Sequence, residues 1–430
     1  MKVHLKALGC RLNEAELEQW SQQFRAAGHE IVPNVPDADV LVLNTCAVTN
    51  DASGKSRRLM HRMYRENPEA RLVVSGCYAT LQAKEVADAI GVDLVVPNAE
   101  KDQLPQQVMQ AFALPVMPAM ATEPGETPLF LRGRQRAFIK IQDGCRYRCT
   151  FCIVTVARGD ERSRTEAEII AEINTLHQQG IQEIVLTGVH VGGYGSDIGT
   201  SLYALVQAVL RETDMPRIRF ASVEPWDLPD GFFALFSNPR LMPHMHLPLQ
   251  SGADSVLRRM ARRCKTSEFS ELLVQARQNI PGFNVTTDII VGFPGETEHE
   301  WEQSLAYLES VGFGHIHIFS YSAREGTKAA GLPDPVPELV KKQRSQALHL
   351  LAERLKHDWL QQQVGKTVPV LWEYGRQETD GQKVYTGYTP NYCKVMVSVS
   401  DNKHLENVIA QATLQGVAAD GGMLCGSLEG

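Results

Sequence analysis

Apolar and polar positions follow three regimes along the chain. Between residues 1 and 112, short apolar runs at Val3–Leu8, Val40–Leu43, Leu72–Val74 and Leu94–Val96 alternate with helical-period stretches near Asn13–Ala27, Gly54–Arg65 and Leu81–Ile90. Strand and helix alternating at this interval predict a parallel α/β sheet. The rhythm continues through 129–365. Strands are expected at Ala137–Ile141, Glu183–Leu186, Arg217–Ala221, His244–Leu247, Asn284–Val291 and His315–Phe319. Helices are expected between them at Glu166–Gln179, Leu202–Arg211, Phe232–Phe236, Ser255–Met260, Phe269–Asn279 and Glu298–Ser310. Six such strands predict a partial (βα)6 barrel with its active site at the C-terminal strand ends. A charged helical stretch, Val336–Gln363, is expected to pack outside it. In the third regime, 366–430, short strands at Thr367–Trp372, Val384–Tyr388, Val395–Val399, Val408–Thr413 and Met423–Leu428 are separated by glycine turns. That pattern predicts a small antiparallel β-barrel of OB type. Residues 113–128 hold four prolines and no period, and read as a linker.

Composition adds boundaries. Apolar content of 43% and charged content of 22% are those of a soluble globular protein. A net charge of −7 means that any RNA site is a local patch. No apolar run is long enough to span a bilayer. Leu8-Gly9-Cys10 has the outline of a lipoprotein cleavage site, but Lys2, His4 and Lys6 interrupt the segment before it. The nine cysteines read as metal ligands or reduced thiols, and the chain is expected in the cytoplasm.

The chemistry concentrates in two cysteine sets. Cys145, Cys149 and Cys152 lie within Asp-Gly-Cys-Arg-Tyr-Arg-Cys-Thr-Phe-Cys, a C-x3-C-x2-C spacing that lets one loop bring three thiolates to one centre. Zinc is the alternative, but structural zinc takes four closed ligands and no fourth cysteine or histidine pair follows. An iron–sulfur cluster fits thiolate ligands and leaves one iron open. Cys10, Cys46 and Cys77 each follow a predicted strand of the first sheet. Ligands of open α/β sheets sit beyond the carboxyl ends of strands, so three such cysteines can converge on a second centre. The alternative is three separate buried thiols. Gly9 and Gly76 would admit a close backbone approach. Asn13, Asn44 and Ser75 are equally candidate helix or turn caps.

Basic residues cluster twice. One group, Lys55, Arg57, Arg58, Arg62 and Arg65, lies on one helix; the other comprises Arg132, Arg134, Arg136, Lys140, Arg146 and Arg148. Each is a candidate RNA-backbone contact or a solvated face. Tyr385, Tyr388 and Tyr392 are candidates to stack on bases or to pack in the core. The terminal module carries Lys366, Arg376, Lys383, Lys394 and Lys403 against seven acids, so it is not basic. His244, His246, His315 and His317 alternate along strands and read as packed rather than ligating, and Cys264, Cys393 and Cys425 read as structural.

The Cys145 loop, with Phe151 before its third cysteine, resembles that of the radical S-adenosylmethionine (SAM) superfamily. Together with the three strand-end cysteines and the terminal barrel, the whole chain resembles the methylthiotransferase family. The terminal module, with Gly-Tyr-Thr-Pro-Asn-Tyr at 387–392, is similar to that family's TRAM RNA-binding module. The resemblance implies two 4Fe-4S clusters, held by Cys145, Cys149 and Cys152 and by Cys10, Cys46 and Cys77, with SAM chelated at the first. It implies an aromatic at Phe151 near the adenine and SAM contacts at the strand ends, for which Thr187, Gly188, Glu224, Gln250, Ser251 and Asp288 are the positional candidates. The implied partners are the tRNA anticodon stem-loop, a low-potential electron donor and a sulfur donor. The implied reaction uses two SAM, one to methylate the carried sulfur and one to make the radical that opens C2 of adenine. The segments Leu-Gly-Cys-Arg-Leu-Asn and Asn-Thr-Cys-Ala-Val-Thr, with Lys55-Ser56-Arg57, look most like the branch that modifies threonylcarbamoyladenosine next to the anticodon. Branches acting on isopentenyladenosine or on a ribosomal-protein aspartate stay open, as does a non-catalytic iron–sulfur electron carrier.

Overall fold

The computed structural model describes residues 1–112, 136–377, 382–400 and 403–428. The expected linker 113–128, with Arg132 and Arg134, lies outside the described residues.

The first region comprises β1 (Lys2–Ala7), α1 (Arg11–Ala26), β2 (Glu30–Ile31), β3 (Val40–Thr45), α2 (Asn50–Glu66), β4 (Arg71–Gly76), α3 (Cys77–Leu81), α4 (Ala83–Ala87), β5 (Val92–Val96) and α5 (Leu104–Ala111). The strands form a parallel sheet in the order β2-β1-β3-β4-β5. Every residue of β3 is buried, as expected of a parallel strand covered on both faces. Leu17, Trp20 and Phe24 cover one face with Leu104 and Val108. Met60, Met63, Tyr78 and Val86 cover the other. The single helix expected over Leu81–Ile90 is instead two. α3 begins at Cys77 directly off Gly76, whose φ is +94°, and Gln82 leaves helical geometry at φ −124°, ψ 42°. That break lets α4 run along β5.

The second region comprises β6 (Arg136–Lys140), β7 (Gln142–Asp143), α6 (Val154–Arg158), β8 (Arg162–Ser163), α7 (Glu166–Gln178), β9 (Glu183–Thr187), α8 (Leu202–Glu212), β10 (Arg217–Phe220), β11 (His244–His246), α9 (Asp254–Arg259), α10 (Thr266–Asn279), β12 (Asn284–Val291), α11 (Glu298–Val311) and β13 (His315–Ser320). β6, β9 and β10 form one parallel group and β11, β12 and β13 another. Bridges Ile218–Leu241 and Ser222–His246 join them. The result is the expected six-stranded arc, packed on its outside by Ile169, Ile173, Leu205, Phe269 and Leu308 of the helices.

The arc is open between β6 and β13, and the first region spans the gap. α1 lies against β6: Ala15 packs on Phe138, Val185 and Ala221 from inside the arc, and the Glu18 carboxylate accepts the Phe138 amide at 3.1 Å. At the far side the Arg324 guanidinium donates to Ser53 Oγ at 3.3 Å, and Asn50 Nδ2 to the Ala323 carbonyl at 3.3 Å. An uncovered strand edge is thus avoided.

α12 (Glu338–Gln361) leads to β14 (Thr367–Gln377), β15 (Gln382–Tyr388), β16 (Lys394–Ser400), β17 (Ile409–Val417) and β18 (Leu424–Leu428), closed in the order β14-β15-β16-β18-β17. The expectation of an all-antiparallel barrel is corrected at one seam, since β16 and β18 run parallel. Five strands closed in a ring cannot alternate direction all the way round, so one parallel seam is unavoidable.

This barrel plugs the N-terminal ends of the six-stranded arc. Arg217 donates to the carbonyls of Tyr388 and Pro369 at 2.9 and 2.6 Å, and Arg219 to those of Pro390 and Thr389 at 2.7 and 2.9 Å. Tyr392 stacks on His244 at 4.7 Å and on Tyr388 at 4.9 Å, and Tyr385 is fully buried in the small barrel's core. Of the two readings of these three tyrosines, packing is the one found: each ring is engaged inside the protein. Among the described residues no helix is long and apolar enough to cross a membrane.

Candidate active site

Cys145, Cys149 and Cys152 occupy one loop beyond β7, at the C-terminal end of the arc. Short backbone bonds hold the loop. The Cys145 amide donates to the Gly159 carbonyl at 3.1 Å, the Cys152 amide to the Cys149 carbonyl at 3.0 Å, and the Thr150 amide to the Met260 carbonyl at 3.0 Å. Gln142 braces it from below, donating to the carbonyls of Asp143 and Gly144 at 2.8 and 2.7 Å. Gly144, at φ +72°, has no room for a side chain, since a Cβ would lie 1.9 Å from the Asp160 carbonyl oxygen. All three cysteines keep partial exposure. Burial, then the Glu224 carboxylate and the other two thiols, pushes Cys145 up to about 12. Burial likewise raises Cys152 to about 11. As free thiols these two are protonated at neutral pH, and a bound cation must displace the protons.

The positional candidates lie within this loop or at the C-terminal ends of the strands. Phe151 packs beside Val256, Met260 and Phe293. Thr187 ends β9. Gly188 faces Gln142 so closely that a Cβ would meet its Oε1 at 2.9 Å. Glu224 follows β10, and its Oε2 is a buried acceptor with no hydrogen-bond partner among the described residues. Gln250 has φ +81°, and its backbone pairs across to Asp288 and Ile290 at 2.9 Å each. Ser251 is buried, its hydroxyl accepting the Ala253 amide at 3.3 Å. The Asp288 carboxylate is held by His246 Nε2 at 3.1 Å. Three soft sulfurs in one half-open loop beside an orphaned carboxylate oxygen fit a metal–sulfur centre with an open position and a cationic ligand next to it.

Sequence reasoning missed the groups that hold this loop electrically. Arg262 Nη1 lies 3.8 Å from Cys149 Sγ, and its guanidinium stacks 4.3 Å over Trp226. His190, inside the 186–193 segment, is gripped by Glu161 through Nδ1 and by Asp227 through Nε2 at 2.5 Å; Tyr147 donates to the same Asp227 at 2.6 Å. His190, Glu224 and Asp227 bring ligand atoms within 4.8 Å of one another. Burial opposes a charged imidazole at His190. The hydrogen bond to Asp227 and the neighbouring carboxylates outweigh it, so its pKa is raised and an imidazolium is favoured.

The second set assembles from three strands. Parallel register sets Ala7 beside Asn44 and Thr45 beside Gly76. Cys10, Cys46 and Cys77 therefore emerge together, close enough that Cys10 and Cys77 both raise the pKa of Cys46, which burial pushes to about 11. Gly9, at φ +99°, touches Cys46: a Cβ there would lie 2.6 Å from its sulfur. Asn13 is no helix cap. Its Nδ2 donates to the carbonyls of Leu8 and Thr45 at 2.6 and 3.1 Å, tying two strand ends together. Asn44 donates to Glu16 at 2.8 Å. Ser75 Oγ, Asn44 Oδ1 and Asn98 Oδ1 are buried without partners among the described residues. A three-sulfur set ringed by unsatisfied polar atoms and glycine backbone fits a bulky cluster better than three isolated thiols.

One short segment connects the two sets. α6 starts two residues after Cys152. Its Ala157 carbonyl accepts Asn98 Nδ2 at 2.8 Å, and the same nitrogen lies 3.7 Å from Cys77 Sγ. Its last residue, Arg158, donates to Asn13 at 2.8 Å, Glu16 at 2.9 Å and Asp143 at 3.0 Å, all buried. Lys101 and Lys140 complete the network: Lys101 pairs with Glu16 and with Asp143 at 2.7 Å, and Lys140 with Asp143 at 3.2 Å. The three cations face buried Glu16 and Asp143 and the more exposed Asp102, and Arg158 also acts on Cys10 and Cys77. Lys140 and Arg136 are thus paired inside the protein, which corrects their expected place in an RNA-contact strip. The arginines of α2 stay exposed in surface pairs such as Arg57–Glu85 and Arg62–Glu66.

Two family models match the chain: the uncharacterized protein family UPF0004 over residues 2–97 and the radical SAM superfamily over 139–308. Over 405 residues the chain is 36% identical to the threonylcarbamoyladenosine tRNA methylthiotransferase MtaB of Bacillus subtilis, covering 92% of this chain and 90% of that one. The chain belongs to the radical SAM tRNA methylthiotransferase family. The MtaB of Thermotoga maritima is 34% identical over 91% of this chain and 90% of its own. The tRNA-2-methylthio-N(6)-dimethylallyladenosine synthase of Bacillus subtilis is 35% identical over 90% of this chain and 79% of its own. A radical SAM methyltransferase, TsrM from Kitasatospora setae, shares the fold at TM-score 0.57 and 13% identity over 76% of this chain and 77% of that one. As a family member the chain is an enzyme that uses SAM and a 4Fe-4S cluster on tRNA.

Proposed function

We propose that this enzyme adds a methylthio group to C2 of N6-threonylcarbamoyladenosine next to the anticodon of tRNA, and that it holds two 4Fe-4S clusters. Cys145, Cys149 and Cys152 would hold the one that binds SAM; Cys10, Cys46 and Cys77 would hold the second. The observation that carries the two-cluster reading is the convergence of three strand-end thiols just across α6 from the Cys145 loop. The choice of branch is supported by relatives of matching length: the chain spans 90% of the threonylcarbamoyladenosine enzymes but 79% of the dimethylallyladenosine enzyme.

When bound, the clusters and SAM supply the electron-transfer, radical and sulfur chemistry. The protein's own residues bind, orient and shield. Phe151 offers an aromatic wall, and Glu224 Oε2 is an open acceptor for an ammonium group. Gly188, Gln250, Ser251, Thr187 and Asp288 shape the strand-end rim around it. Arg262 offsets thiolate charge at Cys149, as Arg158 does at Cys10 and Cys77. A target base in the anticodon loop is unpaired and is splayed out at little energetic cost. RNA backbone would be met by the exposed arginines of α2 and by the small barrel, and a low-potential electron donor and a sulfur donor would act from outside.

The test is a reconstituted reaction on tRNA carrying either N6 group, with nucleosides read by mass spectrometry. The expected product is the 2-methylthio derivative of the threonylcarbamoyl nucleoside. Product on isopentenyladenosine alone would move the enzyme to the other branch.

A further inference from the structure

The chamber inside the arc contains a cation that the ion-pair networks leave over. Arg11 follows Cys10 at the start of α1, and α1 lies across the open side of the arc. The Arg11 side chain lines a small pocket with Arg136, Phe138, Arg219, His244 and Tyr392. Its charge acts on His244, His317 and Tyr392. The neighbouring arginines are committed: Arg136 to Glu373 at 3.0 Å, and Arg219 to Glu183 at 2.9 Å. Asp288, a further acid near it, is held by His246. Among the described residues Arg11 has no carboxylate within ion-pair distance. Burial, then Arg219, His246 and Arg11, hold the His244 imidazole well below its usual range, a sign of positive potential in this part of the chamber. Arg11 is only half-buried and His317 is exposed, so the guanidinium is not sealed from solvent.

A half-buried guanidinium facing Phe138 and Val185 without a counter-ion is unfavourable until an anion arrives. We propose that Arg11 binds the carboxylate of the substrate's threonylcarbamoyl group and thereby selects an anionic N6 substituent over an apolar one. This rests on the substrate reading above and deepens it. A carboxylate matches the guanidinium fork with two parallel, charge-assisted hydrogen bonds. An isopentenyl group offers nothing to that fork and would leave it desolvated and unpaired, so the same residue rejects the wrong branch's base. Because Arg11 and Cys10 are adjacent on the backbone, a base gripped through its N6 substituent is held next to the strand-end cysteine set.

The experiment uses reconstituted full-length wild type, Arg11→Gln and Arg11→Lys. The probes are anticodon stem-loops of one sequence bearing threonylcarbamoyladenosine or its methyl ester, and both Kd by competition and KM for methylthiolation are measured. Wild type is expected to prefer the acid over the ester by about tenfold, the size of one charge-assisted interaction. Arg11→Gln is expected to lose that preference, its KM for the acid rising about tenfold while the ester changes less than about twofold. Arg11→Lys, which keeps the charge without the fork, should retain part of it and serves as the comparison if the glutamine variant does not fold. A preference that survives in the variants, or an equal loss on acid and ester, overturns the assignment of Arg11. Wild type that methylthiolates neither threonylcarbamoyl probe overturns the substrate reading itself, which is a separate outcome.

Discussion

The two cysteine sets present the same three sulfurs by opposite routes. Cys145, Cys149 and Cys152 come from one loop, so their convergence is a local property of the chain. Cys10, Cys46 and Cys77 come from three strands, so theirs depends on parallel register across β1, β3 and β4. The loop set stays half-exposed beside Arg262. In the strand set Cys46 and Cys77 are buried, and the set abuts the Arg158–Glu16–Asp143 network. A loop site tolerates change in the surrounding fold; a site at strand ends is only as sound as the sheet beneath it.

The largest effects separate the sets outright. Reconstituted wild type should bind about eight irons, as two four-iron clusters. Replacing Cys145, Cys149 and Cys152 by alanine should abolish both 5′-deoxyadenosine and methylthio product. Replacing Cys10, Cys46 and Cys77 should leave SAM cleavage under reduction intact and eliminate only the methylthio product, both read from one reaction by mass spectrometry. Full methylthiolation by the second variant would reduce the strand-end set to ordinary buried thiols.

A single glycine should discriminate next. Gly9→Ala forces a Cβ to within 2.6 Å of Cys46 Sγ at φ +99°. It should cost the strand set its iron, about half the total, while the loop set keeps its own. An unchanged iron count would mean that Gly9 does not gate that site.

Electrostatics should matter on a smaller scale. Burial resists ionisation of Glu16, but Arg158, Lys101 and Lys140 outweigh it and hold its pKa at about 2, below its ordinary 4.5. Asp143 is held low in the same way. Both folded values lie below the unfolded ones, so this stabilisation is complete above about pH 4.5 and lost as pH falls towards 2. Glu16→Gln breaks a buried pair and should destabilise by about 3–5 kcal/mol, measured by urea unfolding at neutral pH. Its loss of stability on acidification should also be shallower than that of wild type. A parallel pH dependence in both proteins would show that Glu16 titrates normally.

The smallest effect belongs to the surface. Neutralising Arg57, Arg58 and Arg62 removes exposed charges from α2. It should weaken tRNA binding a few-fold and flatten its salt dependence by about 0.7–0.9 in log–log slope for each phosphate that is no longer neutralised. An unchanged slope would make the helix a solvated face.

Much of this was legible in the sequence for a stated reason. The period of apolar residues reports burial on one face or two, so the alternation of strands and helices, the six-stranded arc and the terminal barrel could be read directly. The C-x3-C-x2-C loop was readable because its three cysteines are neighbours in the chain. The strand-end cysteines were readable because each follows an apolar run, which fixes its height in a parallel sheet. Local pattern carries no information about which side chain meets which across a fold. It could not say that Tyr392 would stack on His244 rather than on a base, or that Arg136 and Lys140 would be paired in the interior. Nor could it say that an odd-stranded barrel would need its parallel seam between β16 and β18. No pattern in the sequence marks Arg158 or Arg11 apart from the other arginines. Only the packing of α6 against α3, and of α1 across the mouth of the arc, puts one guanidinium between the cysteine sets and leaves the other in the chamber without a carboxylate partner among the described residues. Ion pairs are settled by distance in space, and distance in space is what tertiary structure supplies.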